Sequence, residues 1–123
     1  MIKRFTGNLQ WFEGHFSKVD TAYIERSQIE RAILTDDIFK IEFKSNGDSD
    51  GGIVSLKSHN GVDFGGSVRY DNEKTFIGNI SMTFANSPKS PCLIGLWQED
   101  GYEYTCIIDL EPVEAFADQH VTT

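Results

Sequence analysis

Apolar and polar side chains alternate along this sequence, and that alternation limits the folds available to it. The pattern is cleanest from Tyr102 to Leu110, where every second residue is apolar and those between are mostly polar. It recurs over residues 5–11, 39–44, 62–70 and 76–84. Successive side chains of a β-strand point to opposite faces, so this period indicates strands with one buried face and one wet face. The sequence therefore predicts at least five strands of an antiparallel sheet.

Short polar segments that favour turns separate these strands, among them Asn60-Gly61 and Asp100-Gly101. Strands spaced by about a dozen residues with short turns predict a meander, in which sequence neighbours pair. Two weaker apolar segments, 53–59 and 92–99, raise the expected number to seven or eight. A twisted sheet of that size tends to close or to split into layers. We predict one all-β domain over residues 1–123, closed as a small barrel, with a two-layer sandwich as the alternative.

Residues 16–34 support two interpretations. Asp20 is a suitable helix N-cap and good helix formers follow it. The alternation from Ile29 onward equally fits the face of a strand. We expect a short helix near residues 16–27 and a strand from about Gln28.

Charge and hydropathy exclude several classes of partner. The chain has 11 basic and 19 acidic residues and a formal net charge of -8. That charge would repel nucleic acid and anionic membrane surfaces. No apolar run follows Lys3 and Arg4, as a secretory signal would require, and no stretch is long enough for a membrane helix. We expect a soluble, cytoplasmic protein.

The two cysteines can be placed on the hairpin that they flank. If Asp100-Gly101 is a two-residue turn, Cys106 lies opposite Gly95 and Cys92 lies opposite Asp109. The two thiols then point to opposite faces of the sheet. We predict reduced, structural cysteines and not a disulfide or a nucleophile.

A glycine flanked two residues away on each side by an apolar residue recurs on the predicted buried face, at Gly7, Gly66, Gly78 and Gly95. A loop from Asp71 to Thr75 would place Gly66 opposite Ile80 and Val68 opposite Gly78. Small inward residues either let a sheet bend sharply at a barrel corner or leave volume for a ligand. We favour the bend, because closing a small barrel requires it in either case.

No motif points to catalysis, a cofactor or a metal. The loop Asn46 to Gly51 resembles the opening of a calcium loop, but its twelfth position is Lys57 and not a glutamate. The histidines have no ligand spacing and are expected on the surface or in loops; they are His15, His59 and His120. The acidic segment from Glu99 to Glu103 contains paired carboxylates, but we interpret it as a solvated hairpin tip with little catalytic leverage.

Five aromatic residues that carry a hydrogen-bonding group share the parity of the apolar face: Trp11, Tyr70, Trp97, Tyr102 and Tyr104. If Trp97 opposes Tyr104 across the hairpin, one end of the interior has an aromatic wall with polar tips. Such a wall suits a small, mainly apolar ligand that needs a few oriented hydrogen bonds. The alternative is a filled core whose aromatic groups satisfy one another.

Length, meander and inward aromatics together resemble the calycin group of small barrels, which implies a ligand in the barrel cavity. We therefore predict a non-enzymatic barrel that binds a small hydrophobic or aromatic molecule through those five aromatic residues. The competing hypothesis is a structural or protein-interaction module that pairs with itself or with a protein partner. It rests on Ile94, Leu96 and Ile107, which are apolar on the predicted outer face.

Overall fold

The computed structural model describes residues 2–13, 24–47 and 49–113. These residues form eight strands: β1 (Ile2–Glu13), β2 (Glu25–Thr35), β3 (Ile38–Phe43), β4 (Gly52–Ser58), β5 (Asp63–Tyr70), β6 (Ile77–Ala85), β7 (Cys92–Glu99) and β8 (Tyr102–Pro112). Each strand pairs antiparallel with the next, and β8 pairs with β1 to close the barrel. The predicted antiparallel meander barrel is confirmed, and closure rules out the sandwich. In this part of the chain there is no helix long and apolar enough to span a membrane.

The strand β2 begins at Glu25 and not at Gln28. Glu25 pairs with Trp11, and the next two residues pair with the preceding positions of β1. The hydrogen bonds of this ladder outweigh local helix propensity, so the helix prediction is wrong for residues 25–27. Residues 16–23 of the predicted helix lie outside the described residues.

The hairpin of β7 and β8 has the predicted register. Cys106 pairs with Gly95 and Cys92 pairs with Asp109. Asp100 and its glycine neighbour have φ of 51° and 82°, the left-handed values that a two-residue hairpin turn requires. Cys106 is buried, Cys92 is half-buried and both thiols are free. Burial raises the pKa of the Cys106 thiol, which makes it inert.

The glycine pattern is confirmed in part. Gly66 pairs with Ile80 as predicted, but Val68 pairs with Ile77 and not with Gly78. A register shift between Gly66 and Val68 moves the pairing by one residue, and it leaves Gly78 exposed with a φ of 77°. The expected inward position of Gly78 is therefore wrong.

Close backbone approach explains the other three glycines of the pattern. A Cβ atom would overlap a carbonyl oxygen of the neighbouring strand at each of them: Asp109 O for Gly7, Ser55 O for Gly66 and Ser81 O for Gly95. These contacts support the interpretation that the glycines let the sheet bend as it closes.

The barrel has two dissimilar ends. At the phenylalanine end, where β1, β3, β5 and β7 begin, the rings of Phe5, Phe39, Phe64 and Phe84 pack together. Phe39 lies in the middle, with ring centroids 5.7 Å from Phe5, 5.9 Å from Phe64 and 5.6 Å from Phe84. At the other end, where the same four strands finish, the interior is not completely filled. We call it the cavity end.

Candidate functional site

A cavity of about 140 Å³ lies at the cavity end of the barrel. Its lining comes from the last residues of β1, β3, β5 and β7, from the start of β8 and from the loop between β3 and β4. Among the described residues the lining consists of Leu9, Trp11, Phe43, Ser49, Asp50, Tyr70, Trp97, Glu99 and Tyr104. Side chains fill the rest of the barrel axis as one continuous apolar cluster.

Four of the five predicted aromatic residues meet around this cavity: Trp11, Tyr70, Trp97 and Tyr104. Trp97 pairs with Tyr104 across the hairpin, as the two-residue turn predicted. Alternation brings the four together, because each occupies an inward position near the end of its strand.

Tyr102 lies outside the cavity, although it has the parity of Tyr104. Its side chain is 57% exposed, and its ring centroid is 6.4 Å from that of Tyr104. Tyr102 is the first residue of β8 and directly follows the turn. Tyr102 has the parity of the inner face, but at this position its side chain lies beyond the barrel rim and has no interior to enter. The other four residues line the cavity, and their role in ligand binding stays a prediction.

Phe43 completes the aromatic wall. Its ring meets Tyr70 at 6.4 Å and 87°, and it meets Trp97 at 6.3 Å and 78°, both in edge-to-face geometry. Gly52 is the inward residue of β4 between Phe43 and Tyr70 and pairs with both. A Cβ atom at Gly52 would lie 2.5 Å from Arg69 O. The missing side chain lets the two rings approach across β4.

Glu99 places a carboxylate within this aromatic wall. The Tyr70 hydroxyl donates to Glu99 Oε1 at 2.7 Å and lies 3.1 Å from Oε2. Trp97 Nε1 donates a longer bond to Oε1 at 3.5 Å. The interpretation of Glu99 as part of a solvated tip is therefore wrong. Its parity with Trp97 along the same strand was the signal that could have placed it inward.

Burial and negative charge act on the tyrosines of the site. Burial, the hydrogen bond to Glu99 and the charge of Glu99 raise the pKa of Tyr70 well above its usual range. Burial, followed by the charges of Glu13 and Glu99, raises the pKa of Tyr104. Both phenols therefore remain protonated at neutral pH, so each hydroxyl is able to donate a hydrogen bond.

No basic side chain of residues 2–13, 24–47 or 49–113 forms an ion pair with Glu99 or with Asp50, which lies exposed at the mouth. Arg26, Lys44 and Arg69 are near the same rim, but alternation with the buried residues beside them directs all three to the outer face. As far as the structure describes it, the inner surface of the cavity end is thus aromatic and carries carboxylates.

Among the described residues near the cavity, one buried polar group has no hydrogen-bond partner. Ser27 is on the inner face of β2 opposite the lining residue Leu9, and its hydroxyl is buried without a hydrogen bond. Leaving such a group unsatisfied costs about 1–3 kcal/mol. Sequence alone gave no reason to single out Ser27, because its burial depends on the pairing of β2 with β1.

The loop that resembles a calcium site uses Asn46 as a turn residue. Asn46 Oδ1 accepts from Ser49 N at 2.7 Å, and Nδ2 donates to Arg26 O at 2.9 Å. Asp48 lies outside the described residues, as do His15 and His120. His59 is exposed, and where the structure describes side chains there is no group of three or more metal-ligating residues.

The apolar residues predicted on the outer face lie there. Ile94 pairs with Ile107, and Ile94 and Leu96 are 39% and 38% exposed. We call these three residues the outer patch.

Two comparisons with known proteins gave no match. No model of a known protein family matches the sequence, and no curated protein has a significantly similar sequence. The function must therefore be argued from the cavity and its surroundings.

Proposed function

We propose that this chain is a ligand-binding barrel that holds a small, mainly apolar or aromatic molecule at its cavity end without catalysis. The observation that carries the proposal is a space of about 140 Å³ whose lining includes five aromatic side chains. Concave apolar sites with a few placed polar groups are the usual form of small-molecule sites. Here the tyrosine hydroxyls and the Glu99 carboxylate would orient the ligand.

The size of the cavity sets the size of the ligand. A protein cavity of about 150 Å³ is large enough to hold benzene. A space of about 140 Å³ therefore suits a molecule with one ring or a compact branched group. A fatty acid or a sterol would need the barrel to open further.

The chemistry of the reactive groups favours binding over catalysis. The raised pKa of Tyr70 keeps its phenol protonated, so it acts as a donor and not as a base. Cys106 is buried and its raised pKa makes it a poor nucleophile. The free thiols agree with the cytoplasmic location that we propose for the chain.

Fluorescence can test binding directly, because Trp11 and Trp97 are the two tryptophans of the chain and both line the cavity. We expect at least one member of a library of single-ring compounds to change this fluorescence in a saturable way. Leu9→Phe fills the cavity and should abolish that change. Leu96→Phe adds the same ring on the outer face and should leave it unchanged. A library without binders, or binding that survives Leu9→Phe, would contradict the proposal.

Self-association through the outer patch is the competing proposal, favoured by the exposure of Ile94 and Leu96. Sedimentation of the wild-type chain and of Leu96→Lys distinguishes the two. A wild-type dimer that the lysine variant dissociates would support an interface. A wild-type chain that stays monomeric at high concentration and high salt would rule it out, since salt screens the repulsion from the net charge.

A further inference from the structure

The aromatic lining and the carboxylates of the cavity end together define the charge of the ligand. We propose that the cavity selects a small organic cation, an amine or methylated ammonium with about one ring's volume, and that Glu99 is its counter-ion. This inference rests on the proposed ligand-binding function and narrows it to one chemical class.

The first support is the incomplete set of partners around Glu99. A carboxylate has about four acceptor sites. Within the described part of the chain, Glu99 receives bonds from Tyr70 and, at 3.5 Å, from Trp97, and both donors are neutral. A partly buried negative charge is stabilised most by a positive partner with N–H donors. A ligand ammonium group would supply one.

The second support is the arrangement of the rings. Phe43 stands at 87° to Tyr70 and at 78° to Trp97, so these rings form walls at an angle and not a flat stack. Aromatic faces attract cations, with tryptophan the strongest, and angled aromatic walls are the usual receptor for ammonium groups. An aromatic wall alone would accept neutral rings equally well. The Glu99 carboxylate is the group that favours a cation over a neutral ring.

The third support is the sign of the charges that surround the cavity. Asp50 lies at the mouth, and the charges of Glu13 and Asp100 also act on Tyr104, which lines the cavity. The described basic residues at this rim, Arg26, Lys44 and Arg69, point to the outer face. An anionic ligand would be repelled at this opening, whereas a cation would be drawn to it.

An inorganic cation fits the site less well. The described residues include no group of three or more carboxylate, histidine or cysteine ligands. A hard metal ion also needs six or more oxygen ligands, which apolar aromatic walls do not supply. Calcium and magnesium ions therefore serve as negative controls in the binding experiment.

A matched set of ligands tests the inference on the full-length wild-type chain. Benzylamine, benzyl alcohol and benzoate have the same ring and differ in charge, and benzyltrimethylammonium is a cation without N–H donors. Calorimetry at neutral pH should show benzylamine binding about ten-fold more tightly than benzyl alcohol, and benzoate not binding. The quaternary compound should bind if the rings contribute, and the amine alone should bind if hydrogen bonds to Glu99 dominate; either result supports a cation site.

A pair of variants tests the role assigned to Glu99. Glu99→Gln should weaken benzylamine binding about ten-fold and leave benzyl alcohol unchanged. Glu103→Gln removes the same charge from the same hairpin, but alternation places Glu103 on the outer face, where Gln98 Nε2 donates to it at 2.8 Å. This control should change benzylamine binding little. Equal losses in both variants would overturn the assignment of Glu99 as counter-ion.

The salt dependence of the wild-type chain keeps the test decisive if Glu99→Gln folds poorly. Benzylamine affinity should fall as ionic strength rises, whereas benzyl alcohol affinity should not. Equal affinities of the cation and the alcohol, independent of salt, would overturn the cation inference but preserve the ligand barrel. Absence of binding by every compound, including the single-ring library, would instead contradict the proposed function itself.

Discussion

The two ends of this barrel are both lined by aromatic residues, yet the rings at one end pack against one another whereas those at the other line a cavity. The phenylalanine end brings together rings that have no polar atoms, so they can pack without water or partners. The cavity end uses tryptophan and tyrosine, whose N–H and O–H groups need acceptors when they are buried. The polar atoms of the rings therefore distinguish the two ends, because buried N–H and O–H groups need acceptors and phenylalanine rings need none.

Loss of a phenylalanine ring should lower the free energy of unfolding by different amounts at the two ends. Phe39 is fully buried at the centre of the phenylalanine end. Phe39→Ala should lower the free energy of unfolding by about 3–5 kcal/mol, because it opens a void among close-packed rings. Phe43→Ala at the cavity end should cost less, since its ring borders space that already exists and neighbouring groups can adjust. Urea denaturation of both variants measures the difference, and equal losses would show that the ends are packed alike.

The burial of Tyr70 and its hydrogen bond to Glu99 should make the cavity end sensitive to alkaline pH. The pKa of Tyr70 is raised in the folded state, so the folded chain keeps a proton that the unfolded chain releases above about pH 10. The stabilisation is fully present below the unfolded pKa and is lost as pH rises towards the folded one. Unfolding between pH 8 and 11 should show this loss.

Tyr70→Phe is the control for that pH dependence. It should lower stability at neutral pH by about 1 kcal/mol, the typical net value of one hydrogen bond. It should also weaken the fall in stability above pH 10. A variant that loses stability with pH as steeply as the wild-type chain would show that another group is responsible.

Substitution of Ser27 should have a smaller effect on stability than the changes above, and the effect should have the opposite sign. Ser27→Ala removes a buried hydroxyl that has no hydrogen-bond partner in the described part of the chain. We expect it to stabilise the ligand-free chain by up to about 1 kcal/mol, because the desolvation cost of the hydroxyl disappears. Thermal unfolding measures the change. Destabilisation by a similar amount would mean that the hydroxyl is hydrogen-bonded in solution.

The buried Cys106 thiol tests how far solvent enters from the cavity end, with the half-buried Cys92 as a reference, and this experiment has the smallest expected effect. Cys92 is half-buried and should react with iodoacetamide in the native chain. Cys106 is buried on the inner face opposite Trp11 and should react only after unfolding. Mass spectrometry of the Cys92→Ser variant isolates the second reaction. Rapid native labelling of Cys106 would show that the opening extends down the axis.

Local patterns in the sequence predicted the hairpins and the faces of their strands. The turn at Asp100-Gly101 determined that Trp97 meets Tyr104, and alternation directed Trp11 and Tyr70 inward. The same alternation gives Glu99 the inward parity of Trp97, although we interpreted Glu99 as part of a solvated hairpin tip. These features were predictable because a strand's period and a two-residue turn depend on neighbours in the chain.

Other features depended on contacts between distant parts of the chain. The register shift next to Gly66 displaced Gly78 from the interior, and the pairing of β2 with β1 buried the Ser27 hydroxyl. Parity gave Tyr102 the same face as Tyr104, but only the position of the barrel rim shows that one is outside and the other lines the cavity. The parity of a residue gives the face of the strand to which its side chain points, whereas its exposure depends on whether other residues cover that face.

The sequence by itself determined an antiparallel meander with an aromatic inner face and an acidic net charge. The tertiary structure decided that the sheet closes through β1 and β8, that the phenylalanines gather at one end, and that Glu99 lies among the rings at the other. The physical reason is that closure joins residues about a hundred positions apart, such as Gln10 and Asp109, which bond at 2.8 Å. No local period specifies such a pairing, yet it determines where the cavity lies.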